Sequence, residues 1–264
     1  VSWQQKSPDP PPGYAYGPQY RASLANKLRT ILYVAAGRPR SLARDAFFAL
    51  REAPVAPVVH GLDNIPTRGP FVVTANHYER PGLWMLWGAL AISDLVLVRA
   101  GEDTHWIAIE QWESFSVAGI PISPEATRMV FERAFRTYDL LAMPPPHAPA
   151  APRAAAMRAA AAKSRAGRVI GLMPEGDVGP TPELLPAREG VGAFLLFLRA
   201  PVVPIGLHEE DGRFVVHVGE AYTLAPPHDI EKDDRDRWAR TRVMLAIRDL
   251  LPDPLWGAYR DTRR

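Results

Sequence analysis

Cysteine is absent from all 264 residues, which excludes disulfides, thiolate nucleophiles and cysteine-ligated zinc or iron–sulfur sites. The redox compartment stays open, because a cysteine-free chain is stable on either side of a membrane. Long apolar runs are missing as well. The best window, 84–98, is broken by Asp94, and 191–207 contains Arg199 and two prolines. No bilayer-spanning helix is therefore expected. The first twenty residues lack the apolar core of a leader, so no secretory signal is expected either. The chain has no G-x-G-x-x-G, no P-loop and no G-x-S-x-G, and its histidines form neither H-x3-H nor H-E-x-x-H. A nucleotide-dependent or zinc enzyme is disfavoured, and neither a cofactor nor a metal is expected.

What remains is an ordinary globular composition, 47% hydrophobic and 23% charged, long enough for one or two domains. The net charge of +2 is unevenly spread. Residues 1–51 carry eight Lys/Arg against two acids, a net +6, which leaves −4 for residues 52–264. A basic amino-terminal region on a mildly acidic body suits an anionic surface. Phospholipid head groups fit better than nucleic acid, since the body is acidic and no nucleic-acid-binding module is recognisable.

The chain divides into three parts. Residues 1–19 are Pro-rich and read as a flexible arm. Residues 20–52 read as an amphipathic helical pair, with Leu24, Leu28, Ile31 and Leu32 at helical spacing before a break at Gly37–Arg40, and Leu42, Ala46, Phe47 and Leu50 after it. Two readings fit this pair: a helical hairpin packed on the body, or an anchor lying on a membrane surface. Residues 53–264 alternate strand-like runs (71–75, 95–99, 106–109, 168–173, 202–207) with helical stretches (81–93, 125–140, 154–165, 188–198, 233–251). A hairpin turn is expected at 210–213. This alternation predicts an α/β fold, a single open mixed sheet flanked by helices, with the helical hairpin at its amino terminus.

Three ordered pieces stand out as candidate chemistry. The sequence Gly61-Leu62-Asp63-Asn64-Ile65-Pro66 leads into the apolar run at 71–75, which ends in Asn76-His77. The run at 169–173 ends in Pro174-Glu175-Gly176-Asp177, and Arg188-Glu189-Gly190 leads towards Pro201-Val202-Val203-Pro204-Ile205. Polar groups at the carboxyl end of a strand lie where open α/β sheets bind ligands. The other six histidines have no motif context and read as structural or exposed.

In these pieces, in this order, the chain resembles the glycerolipid acyltransferase family, which includes the lysophosphatidic acid acyltransferases. The resemblance spans roughly residues 53–224. The family's pattern runs G-x-x-N-I-P, N-H-x4-D, F-P-E-G, K/R-x-G and P-V-V-P-V. Two departures are plain: the aspartate expected five residues after His77 is Gly82, and the second-block arginine of G-x-I-P-V-x-R is replaced by Pro124 in Gly119-Ile120-Pro121-Ile122-Ser123-Pro124.

The resemblance implies a general-base histidine, His77, acting on an acceptor hydroxyl that attacks an acyl thioester. Losing an orienting carboxylate costs about 10⁴ in rate in a related triad. Glu79, two residues from His77, is the nearest spare carboxylate and a candidate replacement; Glu175 and Asp177 approach from the neighbouring strand end. Substrate-binding roles are implied for Asn76, Pro174, Glu175, Gly176 and Arg188, the last through an anionic group near a helix start. Leu83, Trp84, Leu86, Trp87 and Leu90 are candidate lining for an acyl chain as well as candidate core. The expected partners are acyl-CoA or acyl carrier protein as donor and a lipid or lysolipid as acceptor. The expected place is an anionic membrane surface, peripherally on the cytoplasmic face. From a different class comes the alternative of a catalytically degenerate lipid-binding protein on the same scaffold.

Overall fold

The computed structural model describes residues 16–109, 115–117, 120–145 and 148–262. Residues 1–15 of the arm, Gly119 of the second block, His147 and the terminal Arg263 and Arg264 lie outside them. Among the described residues, seven strands share one mixed sheet in the order β1-β9-β8-β2-β7-β3-β6. They are β1 (Val58–His60), β2 (Val72–Ala75), β3 (Thr104–Ile109), β6 (Leu141–Met143), β7 (Val169–Leu172), β8 (Val202–Glu210) and β9 (Arg213–Val218). A separate two-stranded hairpin joins β4 (Phe115–Val117) to β5 (Ile120–Ile122). Neighbours in the large sheet run parallel except β8 and β9, which are antiparallel across the turn at Asp211 and Gly212, both with positive φ.

The central strands are largely apolar because both faces are covered. All four residues of β2 and all four of β7 are buried. The covering helices are α2 (Leu42–Arg51), α3 (Leu86–Ala100), α5 (Ala150–Arg165), α6 (Val191–Leu198) and α7 (Arg235–Arg248). Helices α3 and α7 lie on opposite faces of β8. A Cβ on Gly88 of α3 would meet Leu207, whereas one on the adjacent strand residue Gly206 would meet Leu250, just beyond α7.

Three boundaries around the site differ from the sequence reading. Residues 95–99 are the last turn and a half of α3, not a strand. A short apolar run does not by itself distinguish strand from buried helix. Here Ala89, Ile92, Ser93 and Val96 make the buried face while Val98 is exposed, and Gly101 caps the end at φ 69°. The same helix starts at Leu86 rather than Pro81, because Pro81-Gly82 forms a turn. Likewise α6 begins at Val191, leaving Arg188 in the preceding loop.

The helical pair forms as expected, α1 (Leu24–Ala36) and α2, each with a serine side chain capping its first turn and Gly37 in the left-handed conformation between them. Their packing is unequal. Helix α2 buries Ala43, Ala46 and Ala49 and packs on α3. Helix α1 buries no residue and touches α4 (Pro124–Tyr138). Its Leu24, Leu28, Ile31 and Leu32 are 51% to 72% exposed, and Met129, Val130 and Phe131 of α4 are exposed as well. Among the described residues no helix is long and apolar enough to cross a membrane. Residues 16–20, just before α1, run extended against the body, with Tyr20 buried between Trp87 and Phe214.

Candidate active site

Strands β2, β7 and β8 run the same way, with Thr74 beside Leu172 and Ala75 beside Ile205. Their carboxyl ends therefore bring Asn76-His77 and Pro174-Glu175-Gly176 together at one edge of the sheet. Asn76 extends the sheet's bonding pattern with its side chain. Its amide donates to Leu207 O at 2.9 Å and accepts from Leu207 N at 2.8 Å. Both ends of that amide are thus engaged by backbone, and Asn76 sets where the chain leaves β2.

Glu175 ties the two strand ends together. Its Oε1 accepts the His77 backbone N–H at 2.6 Å and its Oε2 accepts the Leu185 N–H at 2.7 Å. The same Oε1 lies 3.7 Å from His77 Nδ1, and the two side chains are 1% and 9% exposed. His77 Nδ1 is buried and makes no hydrogen bond. The loop carrying Leu185 is itself held from the carboxyl-terminal region. Leu184 bonds Leu255 and Ala258 through its backbone, and Ala187 N–H donates to the Tyr259 hydroxyl at 2.9 Å.

Glu79, the candidate replacement carboxylate, has its hydrogen bond elsewhere. Its Oε2 accepts from Met85 N at 3.1 Å, at the start of α3, where the first N–H groups of a helix need acceptors. Burial pushes its carboxyl above the usual carboxylate range, against the pull of the Met85 N–H and of His77. Only Glu175 has a carboxylate oxygen within 4 Å of a His77 ring nitrogen among the described residues.

Gly82 explains why no aspartate stands at this position. Arg80 and Leu83 exchange two backbone hydrogen bonds around Pro81-Gly82, and Gly82 has φ 77°, the geometry of a type II turn. A Cβ there would lie 2.5 Å from Gln19 Cγ, and Gly82 O accepts from Tyr20 N at 2.6 Å. We expect Gly82→Asp to lower stability by about 1–3 kcal/mol through strain and displacement of residues 19–20. It should not raise any transfer rate. Thermal unfolding and initial-rate measurements on the same preparation check both halves.

The loop is locked from beneath by a buried ion pair the sequence does not reveal. Arg80 Nε and Nη2 donate to Glu209 Oε2 and Oε1 at 2.9 and 2.5 Å, with both side chains almost fully buried. Arg80 also donates to Pro18 O and Pro81 O, while Tyr78 OH and Gly17 N donate to Glu209. Residues 17–20 are thereby fastened to the His77 loop.

Arg188 lies across Gly176: a Cβ at that glycine would sit 2.3 Å from Arg188 Cδ. Its backbone N–H donates to Pro174 O at 2.9 Å, and its guanidinium is 3.5 Å from the exposed Asp177 carboxylate. The nearby start of α6 already has its anion, since Asp236 accepts from Gly190 N and Ala193 N. Any anion held here would rest on the guanidinium.

The apolar side chains proposed to line an acyl chain separate: Leu83 and Trp87 are core, whereas Trp84 is exposed. Two clefts of about 670 and 470 Å³ open along α7 beside Trp238 and between Pro70, α5 and α6, and His77 lines neither. Among the remaining histidines, His60 and His228 are exposed and His105 is buried. His208 is pulled down to about 4 by burial, reinforced by His217 and His60, and is neutral at pH 7. No group of three His, Asp or Glu among the described residues is disposed to hold a metal ion.

Residues 56–208, more than half of the chain and including His77, Glu175, Gly176 and Arg188, match the family model described as Acyltransferase. The chain belongs to the acyltransferase family. Membership implies an acyl donor and a lipid acceptor in general terms. Among solved structures the chain is similar to the 1-acyl-sn-glycerophosphate (LPA) acyltransferase PlsC from Thermotoga maritima. The two share 19% identity over 86% of this chain and 81% of that one, with a TM-score of 0.47. None of the curated proteins matches this chain by sequence.

Proposed function

We propose that this family member moves a fatty acyl group from a thioester, acyl-CoA or acyl carrier protein, to a hydroxyl of a lipid or lysophospholipid. His77 removes the hydroxyl proton as that oxygen attacks the thioester carbonyl carbon. The tetrahedral intermediate collapses, the carbon–sulfur bond breaks, and the departing thiolate takes the proton back from the imidazolium. The observation that carries this reading is the placement of His77 at the carboxyl end of β2, against the carboxylate of the Pro-Glu-Gly bend. Arg188, laid over Gly176, supplies a cation for an anionic group on the acceptor.

A membrane surface is the natural place for such an acceptor. The outward leucines of α1 are flanked by the basic residues of the +6 amino-terminal region. Such a face lies in the head-group layer and is drawn to anionic lipid. We place the protein peripherally on the cytoplasmic face, where soluble thioester donors are available.

The test is incubation with labelled long-chain acyl-CoA and lysophospholipid carried on anionic vesicles. Labelled diacyl lipid should accumulate with time, and vesicle binding should weaken as salt rises. Vesicle binding with no product above the protein-free rate would overturn transfer and favour a lipid-binding protein that has kept the scaffold. Gly82 and the unbonded His77 Nδ1 are the observations on that side.

A further inference from the structure

We propose that Glu175 is the orienting residue for His77, doing from the next strand what an aspartate five residues after the histidine does in the family pattern. The inference rests on His77 being the base, and deepens that reading. Three geometric facts support it. Position 82 is closed to a carboxylate by the left-handed turn and by Gln19. Glu79 directs its Oε2 to the start of α3. Glu175 is buried and pinned by two backbone N–H groups, so its Oε1 sits in a fixed place 3.7 Å from the one His77 nitrogen that is buried and unbonded.

That separation is longer than a hydrogen bond, and catalytic contacts in ligand-free enzymes commonly tighten only when substrate is bound. A buried unsatisfied imidazole nitrogen favours the same movement. Oε1 has two lone pairs, so it accepts Nδ1–H without releasing the His77 backbone N–H. With the proton held at Nδ1, the basic lone pair is at Nε2. When His77 takes the hydroxyl proton, the fixed carboxylate stabilises the imidazolium and remains ionised itself. The other charged or titratable groups near this end of the sheet are Glu79 on the same loop, Asp177 and Arg188 at the bend, and Tyr259, which feels both Glu175 and Arg240. None of them is removed in the test.

The test compares E175Q with E175D in the full chain. It follows steady-state acyl transfer, with kcat and KM separated, together with thermal unfolding. E175Q should cut kcat by about 10²–10⁴-fold while KM moves little. E175D, which keeps the charge on a shorter arm, should recover part of kcat. Thermal unfolding corrects for the backbone bond that a glutamine cannot accept; a merely structural role would lower kcat only in step with lost stability and would give no rescue by E175D. If E175Q keeps kcat to within about threefold while H77A is inactive, Glu175 is not the orienting residue and His77 remains the base. If H77A turns over normally, the base assignment itself falls, and this inference with it.

Discussion

His77→Ala is expected to reduce acyl transfer by about 10²–10⁴-fold or more, the range that a positioned general base contributes. The loss should appear in kcat, because the imidazole acts on a proton that moves only as the hydroxyl attacks. Stability should hardly change. The His77 ring makes no hydrogen bond through its buried Nδ1, and the tie to Glu175 runs through the His77 backbone N–H, which alanine keeps. Initial rates from a labelled thioester, with unfolding midpoints measured alongside, separate chemistry from folding. Wild-type turnover in a folded H77A protein would remove the histidine from the reaction.

The second large effect lies in the protein's stability. Glu209→Ala leaves the Arg80 guanidinium buried without its carboxylate, and it removes the acceptor of Tyr78 OH and Gly17 N–H. Breaking one partner of a buried pair costs about 3–5 kcal/mol. For a chain of this size that is a fall of about 6–20 °C in Tm. Calorimetry on the full chain checks it, and a change under about 2 °C would show that water reaches the pair. The effect should reach the active site too. Arg80 is three residues after His77 and holds residues 17–20 over the Gly82 turn, so releasing it loosens the loop on which the imidazole stands. The Arg80→Met/Glu209→Leu double variant should recover part of the stability, because two matched apolar groups need no partner.

These expectations trace the boundary between local and long-range information. The strands that carry the site are legible residue by residue. Val72–Ala75, Val169–Leu172 and the start of Val202–Glu210 are short, apolar and β-branched, and such runs belong in a buried parallel sheet. The motif pieces are legible for a related reason: each is a strand end or a turn whose side chains act within a few residues. The misread strand at 95–99 lies where the pattern is ambiguous in principle, since its residues are as apolar as a strand's and only α3's packing reveals the helical face.

Charged residues are harder to read. Glu79 is close to His77 in sequence and points to a helix start, whereas Glu175, 98 residues away, touches the His77 backbone. Arg80 and Glu209 look like solvent-facing charges in isolation and are among the most buried side chains in the protein. Composition and order alone determine the α/β class and the amphipathic pair, because hydrophobic period and turn chemistry are local properties, and the acyltransferase signature is legible through its resemblance to the family's ordered motifs. Which carboxylate meets which cation or imidazole was decided only by the parallel alignment of β2, β7 and β8. Electrostatic partnership depends on distance through space, and strand pairing sets that distance without leaving a mark in the spacing along the chain.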